Sequence, residues 1–226
     1  MSKDWTKIRA KVKDFIESEI YPKETELAKG TPEAREMLGS LMQLAKDEKI
    51  WALGHPEDIG GGGMPFMEYV YVNEVIGRSS FAMVALGTHS LQDSIMLREF
   101  ASPHWRDQYL EPLVQGEIFP SFGMTEPDVA SSDPTQLQTT AILDNGTWKI
   151  NGTKWFTTGA ARAAYTTVMC RTELDAPSHG AFSMIIVPTD NPGYKIVRET
   201  PVLGINGGHY EVKYDNVEVP EENLLG

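Results

Sequence analysis

The chain has 226 residues, of which 41% are hydrophobic, and a formal net charge of −12. This length and hydrophobic content can bury a core as one large domain or as two small ones. The acidic balance argues against nucleic-acid binding, because neutralising phosphates requires concentrated Lys and Arg. Cys170 is the only cysteine, so no intrachain disulfide can form and a reducing compartment is expected.

Targeting and membrane signals are not evident in the sequence. The N-terminal stretch MSKDWTKIRA has no apolar segment of the kind found in secretory signals. No stretch approaches the roughly 20 apolar residues of a membrane span. We therefore expect no membrane span and a cytoplasmic location, or the mitochondrial matrix for a processed eukaryotic protein. Within the apolar run 165–170, Cys170 is interpreted as a small buried hydrophobe rather than a nucleophile.

Apolar residues at three- and four-residue spacing predict three helices before residue 78. Their approximate ranges are 4–20, 31–45 and 65–77. Pro22 is expected to end the first helix, and Thr31 to cap the second with Pro32 at its first position. The residues expected on one side of the third helix are Phe66, Tyr69, Val70, Asn73 and Ile76.

A glycine-rich loop is predicted between the second and third helices, over about 50–64. Its run Gly60 to Gly63 could mimic a phosphate cradle, but no Lys-Ser/Thr pair follows and no strand clearly precedes it. A phosphate-binding loop is therefore not favoured. His55 in the same loop is interpreted as a solvated histidine rather than a catalyst or metal ligand.

A fourth helix is predicted over about 81–100, with Ser79 or Ser80 as its cap. Its first half is apolar or small almost all round, which is typical of a central helix. His89 lies within it and is interpreted as a satisfied core histidine. The alternative is that His89 faces a ligand cavity together with Thr88 and Gln92.

After a fifth helix, from Ser102 as its cap to Gly116, the pattern changes to strand-like alternation. The expected strands cover about 137–143, 148–152, 154–160, 165–171, 181–188, 194–199 and 210–219. Asn145-Gly146 signals a hairpin, and further turns are expected at 190–193 and 206–208. We predict an α+β chain with two domains, a helical one at 1–120 and a small antiparallel β-barrel or sandwich at 121–226.

The segment Phe122 to Thr135, FGMTEPDVASSDPT, joins the two halves and is dense in hydroxyls and carboxylates. Pro127 and Pro134 prevent regular helix, and the small residues let a ligand approach the backbone. The segment is therefore expected to be a rigid polar loop that faces something flat or extended. An ordinary interdomain linker is the alternative, and these residues alone favour neither.

A second candidate segment is KWFTTGA, residues 154–160. Trp155 and Phe156 are followed by two hydroxyls, Thr157 and Thr158. This order suits a flat π-system with a hydrogen-bond donor at its edge. The alternative is an aromatic pair in the core of a sheet.

Three segments together resemble the acyl-CoA dehydrogenase family, and the resemblance extends over essentially the whole chain. Met124 to Asp133, MTEPDVASSD, is similar to the family's flavin-binding signature of T-E-P, a small-residue spacer and S-D, with a spacer one residue longer than the commonest form. Ile150 to Gly159, INGTKWFTTG, resembles the family strand I-N-G-x-K-x-W-I-[ST], with Phe156 in place of Trp. Val217 to Gly226, VEVPEENLLG, is similar to the family's exit from its β domain.

The resemblance implies FAD-dependent α,β-dehydrogenation of an acyl-CoA thioester. It also implies an electron acceptor such as an electron-transfer flavoprotein, and a homo-oligomer for the full-length protein. Ser132 matches a position that contacts acyl-CoA near the thioester, and Thr158 one that donates to the flavin N5 side. The positions that match FAD contacts are Phe122, Met124, Thr125, Phe156, Thr157 and Thr158.

In the family the catalytic base is a glutamate of a C-terminal helical domain, which is expected to start where this sequence ends, at Gly226. No residue here is therefore assigned as catalytic, and Glu126 and Asp133 are not promoted to that role. Residues 1–226 alone are expected to be inactive. Two alternatives remain open: a flavin oxidase or monooxygenase on the same scaffold, and a non-catalytic binding or assembly module.

Overall fold

The computed structural model describes residues 4–203 and 208–226, which divide into two compact units. The first unit runs to Ile95 and includes Val114–Gly116. The second consists of Met96–Leu113 and Glu117–Gly226. The first unit is helical, and the second combines short helices with a β-sheet. The turn predicted at 206–208 lies largely outside the described residues.

Local capping signals start two helices of the first unit where the sequence predicts. Thr31 accepts a hydrogen bond from the Ala34 amide at 3.3 Å, and Ser79 accepts from the amide of Ala82 at 3.3 Å. The helices are α1 (Trp5–Phe15), α2 (Glu24–Leu27), α3 (Pro32–Asp47), α4 (Phe66–Ile76), α5 (Ser80–Ala85) and α6 (Leu91–Phe100), whose last residues enter the second unit. None of the described helices is long and apolar enough to cross a membrane.

The prediction that Pro22 ends the first helix is wrong. After α1 the chain continues through a π-helical turn, Ile16–Ile20, and a 3-10 turn, Tyr21–Lys23, into α2. Pro22 is the second residue of the 3-10 turn. Proline is tolerated in the first turn of a helical segment because its missing N–H would have had no partner there.

The face predicted for α4 is partly wrong. Phe66 is 75% exposed and Val70 44% exposed, whereas Val72 and Val75 are buried together with the correctly predicted Tyr69 and Ile76. The helix is apolar on nearly all sides, so residue spacing does not select the face that packs inward.

The predicted fourth helix is broken into two at Gly87. This glycine has a φ of +71°, and the chain passes through the 3-10 turn Thr88–Ser90 before α6 begins. A Cβ added at Gly87 would lie 2.7 Å from the indole of Trp51. The break therefore lets the backbone approach this indole, whose Nε1 donates to the Val114 carbonyl at 2.9 Å.

His55 is buried, so its interpretation as a solvated histidine is wrong. It is 1% exposed, and its Nε2 lies 3.2 Å from the Ser90 hydroxyl oxygen. Burial, followed by the charge of nearby His89, lowers the pKa of His55 to about 4. The loop amides of Gly61 and Gly63 donate to the carbonyls of Pro56 and His55, so they close the loop on itself.

The fifth predicted helix is present in three pieces: α7 (Pro103–Trp105), a π-helical turn (Arg106–Leu110) and α8 (Glu111–Gln115). It ends at Gly116, which has a φ of +72°. Ser102 occupies the cap position, but its hydroxyl makes no capping hydrogen bond among the described residues. In the second unit, Leu97, Trp105 and Leu113 pack against the sheet residues Tyr165 and Ile186.

The strands of the second unit are β1 (Pro120–Gly123), β2 (Thr140–Asp144), β3 (Thr147–Thr158), β4 (Tyr165–Arg171), β5 (Phe182–Pro188), β6 (Tyr194–Glu199), β7 (His209–Pro220) and β8 (Leu224–Leu225). They form one sheet in the order β6-β7-β3-β2-β4-β5-β8, with β1 paired to β4. β1 runs parallel to β4, and β2 meets β4 in a single parallel pair; the other pairings are antiparallel.

The helices-then-sheet order is confirmed, but the antiparallel barrel is not. No pairing joins β6 to β8 in the described part of the chain, so the sheet is open there, and its β1–β4 pairing is parallel.

The short strands β1 and β8 were not predicted, because they are only four and two residues long. The two predicted strands at 148–160 are one long strand, β3. The Asn145-Gly146 hairpin is confirmed, with φ of +50° and +77° at its two residues.

The interior of the sheet unit contains the single cysteine. Cys170 is fully buried in a cluster with Ile150, Val168 and Val212. Burial raises the pKa of its thiol to about 12. Its interpretation as a small buried hydrophobe is therefore confirmed.

Candidate functional site

Two segments that the sequence singles out separately are joined in the structure. The Trp155 amide donates to the Thr125 carbonyl at 3.0 Å, and the Thr125 hydroxyl donates to the Trp155 carbonyl at 2.7 Å. The polar segment is therefore fastened to β3 by hydrogen bonds in both directions. The loop and the aromatic strand form one surface rather than two independent features.

A buried ion pair lies directly beneath this junction. Lys154 Nζ is 2.9 Å from Glu126 Oε1, and the two side chains are 0% and 5% exposed. Lys154 also donates to the Met124 carbonyl at 2.8 Å. The Glu126 carboxylate accepts from the amides of Gln138 and Thr139 at 2.7 and 2.8 Å. Both carboxylate oxygens are thus occupied, and the pair holds the loop to β3 from within.

Hydrogen bonding keeps the Glu126 carboxylate charged despite its burial. Burial alone would raise the pKa of this carboxyl, but hydrogen bonds from Thr139, Gln138 and Lys154 outweigh that effect and lower it. Glu126 is therefore an anion committed to its partners, which is a structural role.

A β-bulge in β3 turns Phe156 outward. The buried positions Trp148, Ile150 and Lys154 are all even-numbered, whereas the next buried position is Thr157. The pairing with β7 shifts register between Lys154 and Thr157, and Phe156 has a φ of +51°. One extra residue moves every later side chain to the opposite face. Phe156 would otherwise point into the sheet's interior, and it is instead 41% exposed.

The two aromatic rings of this strand lie side by side. Their centroids are 4.7 Å apart with planes tilted by 43°. Trp155 is partly buried, so Phe156 forms the more accessible apolar surface. A Phe at φ near +50° is uncommon and is a feature found at ligand-contacting positions.

The two threonine hydroxyls after the aromatics have different surroundings. Thr157 is fully buried, and its hydroxyl has no hydrogen-bond partner among the described residues. Thr158 is exposed, and its hydroxyl oxygen lies 2.8 Å from Nδ1 of His209 on β7. Its main-chain carbonyl accepts from the Ser121 hydroxyl at 2.8 Å, which links this strand to β1.

The remaining predicted contact residues lie along the same loop. Phe122 is on β1, Met124 follows it, and both are partly buried. Ser132 is exposed. Its neighbour Ser131 has the structural role in the loop, because its hydroxyl oxygen accepts from the Glu126 amide at 2.8 Å. Ser132 is therefore the hydroxyl of this pair that is accessible to a ligand.

Sequence reasoning missed two members of this arrangement. Lys154 stands at an inward position of a strand, and its sequence neighbours do not indicate a buried cation. His209 lies 51 residues from Thr158 and meets it only through the β3–β7 pairing. In the described ranges no group of three or more His, Cys, Asp or Glu residues is placed to hold a metal ion.

Comparisons with known proteins cover both units. A family model described as acyl-CoA dehydrogenase, N-terminal domain, matches residues 2–117. A second, described as acyl-CoA dehydrogenase, middle domain, matches residues 121–217. Probable acyl-CoA dehydrogenase FadE2 of Mycobacterium tuberculosis is 38% identical over 232 residues, which cover 96% of this chain and 56% of that protein.

Solved structures also match over nearly the whole chain. A Mycobacterium abscessus protein named as an acyl-CoA dehydrogenase has a TM-score of 0.90 and 32% identity, covering 99% of this chain and 60% of that one. A glutaryl-CoA dehydrogenase from Mycobacterium smegmatis, in complex with FADH2, has a TM-score of 0.78 and 24% identity. The match covers 99% of this chain and 55% of that one. At that identity the second likeness supports the fold alone. The chain spans little more than half the length of these relatives.

Proposed function

Because the chain belongs to the acyl-CoA dehydrogenase family, we propose that it forms the FAD-binding and substrate-facing part of an enzyme that removes two hydrogens from an acyl-CoA thioester. The family assignment supports an oxidoreductase scaffold. The specific reaction is inferred from the surface formed by the polar loop and β3.

One observation carries the proposal: the bulge that exposes Phe156 next to the Thr158 hydroxyl. Phe156 offers a flat apolar face that is 41% exposed, and Thr158 places a hydroxyl two residues further along the same strand. An isoalloxazine ring is flat and apolar on its faces, with polar atoms at its edge. This pairing of an aromatic face with an edge hydroxyl fits such a ring.

The residues proposed to hold FAD surround this point. Phe122 and Met124 approach from β1 and the loop, and Thr125 fixes the loop to β3 through its hydroxyl. Thr157 lies between Phe156 and Thr158 on the same strand, with its side chain buried in the interior. When bound, FAD supplies the acceptor for a hydride from the β carbon of the substrate. Ser132, exposed on the loop, is proposed to contact the acyl-CoA.

The acidic residues of the polar loop are not proposed as the catalytic base. Glu126 has both oxygens occupied by Lys154, Gln138 and Thr139. Asp133 accepts from the amide and hydroxyl of Thr135 at 3.1 and 2.6 Å, so it shapes the end of the loop. As the family resemblance implies, the proton abstraction is proposed to belong to a glutamate of a C-terminal helical domain.

An electron acceptor such as an electron-transfer flavoprotein, and a homo-oligomeric assembly, are further parts of this proposal. Both follow from family membership rather than from any contact in the structure. A cytoplasmic or mitochondrial-matrix location likewise remains a prediction.

Anaerobic titration of the complete, FAD-loaded protein with acyl-CoAs of different chain length tests the proposal. We expect the visible absorbance of the oxidised flavin to bleach with at least one acyl-CoA. Failure of every chain length to bleach a protein that does bind FAD would contradict the dehydrogenase proposal. Bleaching by a substrate without a CoA thioester would favour a different flavin reaction on this scaffold.

A further inference from the structure

His209 makes a contact that the proposed function does not use. β3 and β7 are antiparallel, and their register places Thr158 directly opposite His209. Nδ1 of His209 is 2.8 Å from the Thr158 hydroxyl oxygen, which is a normal hydrogen-bond distance. Main-chain hydrogen bonds hold both strands here. The Gly159 amide donates to the Gly208 carbonyl at 2.8 Å, and the Thr200 amide donates to the His209 carbonyl at 2.8 Å.

The Thr158 hydroxyl has a second contact that limits how its proton can point. Its oxygen is 3.4 Å from the Phe156 carbonyl, which can only accept. A hydroxyl carries one proton, so it cannot donate to His209 and to Phe156 at once. Both contacts are satisfied only if His209 Nδ1 carries a hydrogen and donates to Thr158, while Thr158 donates toward Phe156.

The contact to the Phe156 carbonyl is long, so it is the weaker of the two. A stronger acceptor placed beside the bulge could therefore replace the Phe156 carbonyl as the group that accepts the Thr158 hydrogen bond. If Nδ1 instead carried a lone pair, the Thr158 proton would point at His209 and away from a ligand. Which ring nitrogen of His209 carries the hydrogen thus determines whether the exposed Thr158 hydroxyl can donate to a ligand.

We propose, on the basis of the function proposed above, that His209 is a positioning residue: it donates from Nδ1 to Thr158 and thereby directs the Thr158 hydroxyl proton toward the edge of the bound flavin. His209 acts through Thr158. Thr157 cannot replace Thr158 in this role, because its side chain is buried on the opposite face of the strand.

The first test reads the tautomer and does not depend on catalysis. In the complete protein labelled with ¹⁵N-histidine, long-range ¹H–¹⁵N NMR spectra recorded well above the ordinary pKa of histidine distinguish the two ring nitrogens. We expect the His209 resonance, assigned by its loss in His209→Leu, to show a protonated Nδ1. An unprotonated Nδ1 in the neutral ring would overturn the proposal, whatever reaction the protein catalyses.

The second test is kinetic and uses matched variants. His209→Leu removes the donor, whereas His209→Asn retains an amide nitrogen near the Nδ1 position. We expect His209→Leu to slow flavin reduction by acyl-CoA about tenfold, the change expected from one hydrogen bond, with FAD and acyl-CoA affinities unchanged. His209→Asn should recover most of the rate. His104→Leu, at an exposed histidine on α7 of the same unit, is the control and should leave the rate unchanged.

A double-mutant cycle separates positioning from an independent effect. In a Thr158→Val background, His209→Leu should cause no further loss of rate, because the hydroxyl that it directs is already absent. Additive losses, or a His209→Asn rate no better than that of His209→Leu, would overturn the positioning role. If the unmodified protein is not reduced by any acyl-CoA, the proposed function fails, and the NMR result alone decides the Thr158–His209 arrangement.

Discussion

Glu126 and Lys154 form an ion pair of 2.9 Å in the interior of the sheet unit, and it ties the polar loop to β3. The lysine also reaches the Met124 carbonyl, so one ammonium group supports two points of the loop. Phe156 and Thr158, which we propose face the flavin, follow Lys154 within four residues on the same strand. The geometry of the candidate site therefore depends on a pair that no ligand is expected to touch.

Removing one partner of this pair should destabilise the protein strongly. We expect Lys154→Met to lower the free energy of unfolding by about 3–5 kcal/mol, because the Glu126 charge would remain buried without its partner. Urea denaturation of the complete protein measures this change. The double variant Glu126→Gln with Lys154→Met should recover part of the loss, since neither buried charge then remains. A single-variant effect below about 1 kcal/mol would show that the pair contributes little.

The same pair predicts a pH dependence with a definite sign. The pKa of Glu126 is lowered in the folded protein. The stabilisation that the Glu126 carboxylate gives to the folded protein is therefore fully present above the ordinary glutamate pKa of about 4.3. It is lost as the pH falls through the lower pKa of the folded state. We expect the unfolding free energies of the unmodified protein and Glu126→Gln to converge as the pH is lowered through this window. A constant difference down to the lowest pH would contradict the assignment.

His55 should make the protein less stable in mildly acidic solution. Its pKa is lowered from 6.5 to about 4, chiefly by burial, so the unfolded chain binds a proton in a range where the folded one does not. The free energy of unfolding should therefore fall by about 3 kcal/mol as the pH is lowered from 6.5 to about 4. His55→Gln keeps a nitrogen near the Ser90 hydroxyl but cannot titrate. Its unfolding free energy should change less over this range, and an identical pH profile would contradict the prediction.

Gly87 should not tolerate a side chain. Gly87→Ala combines a φ of +71° with a Cβ only 2.7 Å from the Trp51 indole. We expect a loss of about 2–4 kcal/mol in unfolding free energy, from left-handed strain and overpacking together. Gly146→Ala is the matched control, because Gly146 has a φ of +77° with nothing within 4 Å of its added Cβ. It should lose only about 1–2 kcal/mol. Equal losses would mean that the Trp51 contact has no effect.

Thr158 should matter for the rate of reduction more than for binding. If its hydroxyl donates to the flavin edge, Thr158→Val should slow flavin reduction by acyl-CoA about a hundredfold. The dissociation constant of acyl-CoA should change much less. Stopped-flow absorbance under anaerobic conditions measures both, with Thr153→Val on the same strand as the control. An unchanged reduction rate would assign Thr158 a purely structural role.

Local signals account for the parts of the fold that the sequence predicts well. Thr31-Pro32 and Asn145-Gly146 carry their own backbone preferences, so the start of α3 and the β2–β3 hairpin follow from adjacent residues. The polar loop and the aromatic strand could likewise be identified as candidate ligand surfaces from their residue types.

The features that sequence reasoning missed depend on distant contacts. Glu126 meets Lys154 across 28 residues, and Thr158 meets His209 across 51. The break at Gly87 reflects its approach to Trp51, which no nearby residue signals. The bulge at Phe156 is a one-residue register shift set by β7, so a regular alternation read from β3 alone could not reveal which face Phe156 occupies.

The most direct test of the central claim is a single-turnover reaction of the complete, FAD-loaded protein with an acyl-CoA in the absence of oxygen and any other electron acceptor. We expect each equivalent of flavin reduced to yield one equivalent of the corresponding 2-enoyl-CoA, two hydrogens lighter than the substrate by mass spectrometry. Flavin reduction without that product, or acyl-CoA recovered unchanged from a protein that holds FAD, would contradict the account.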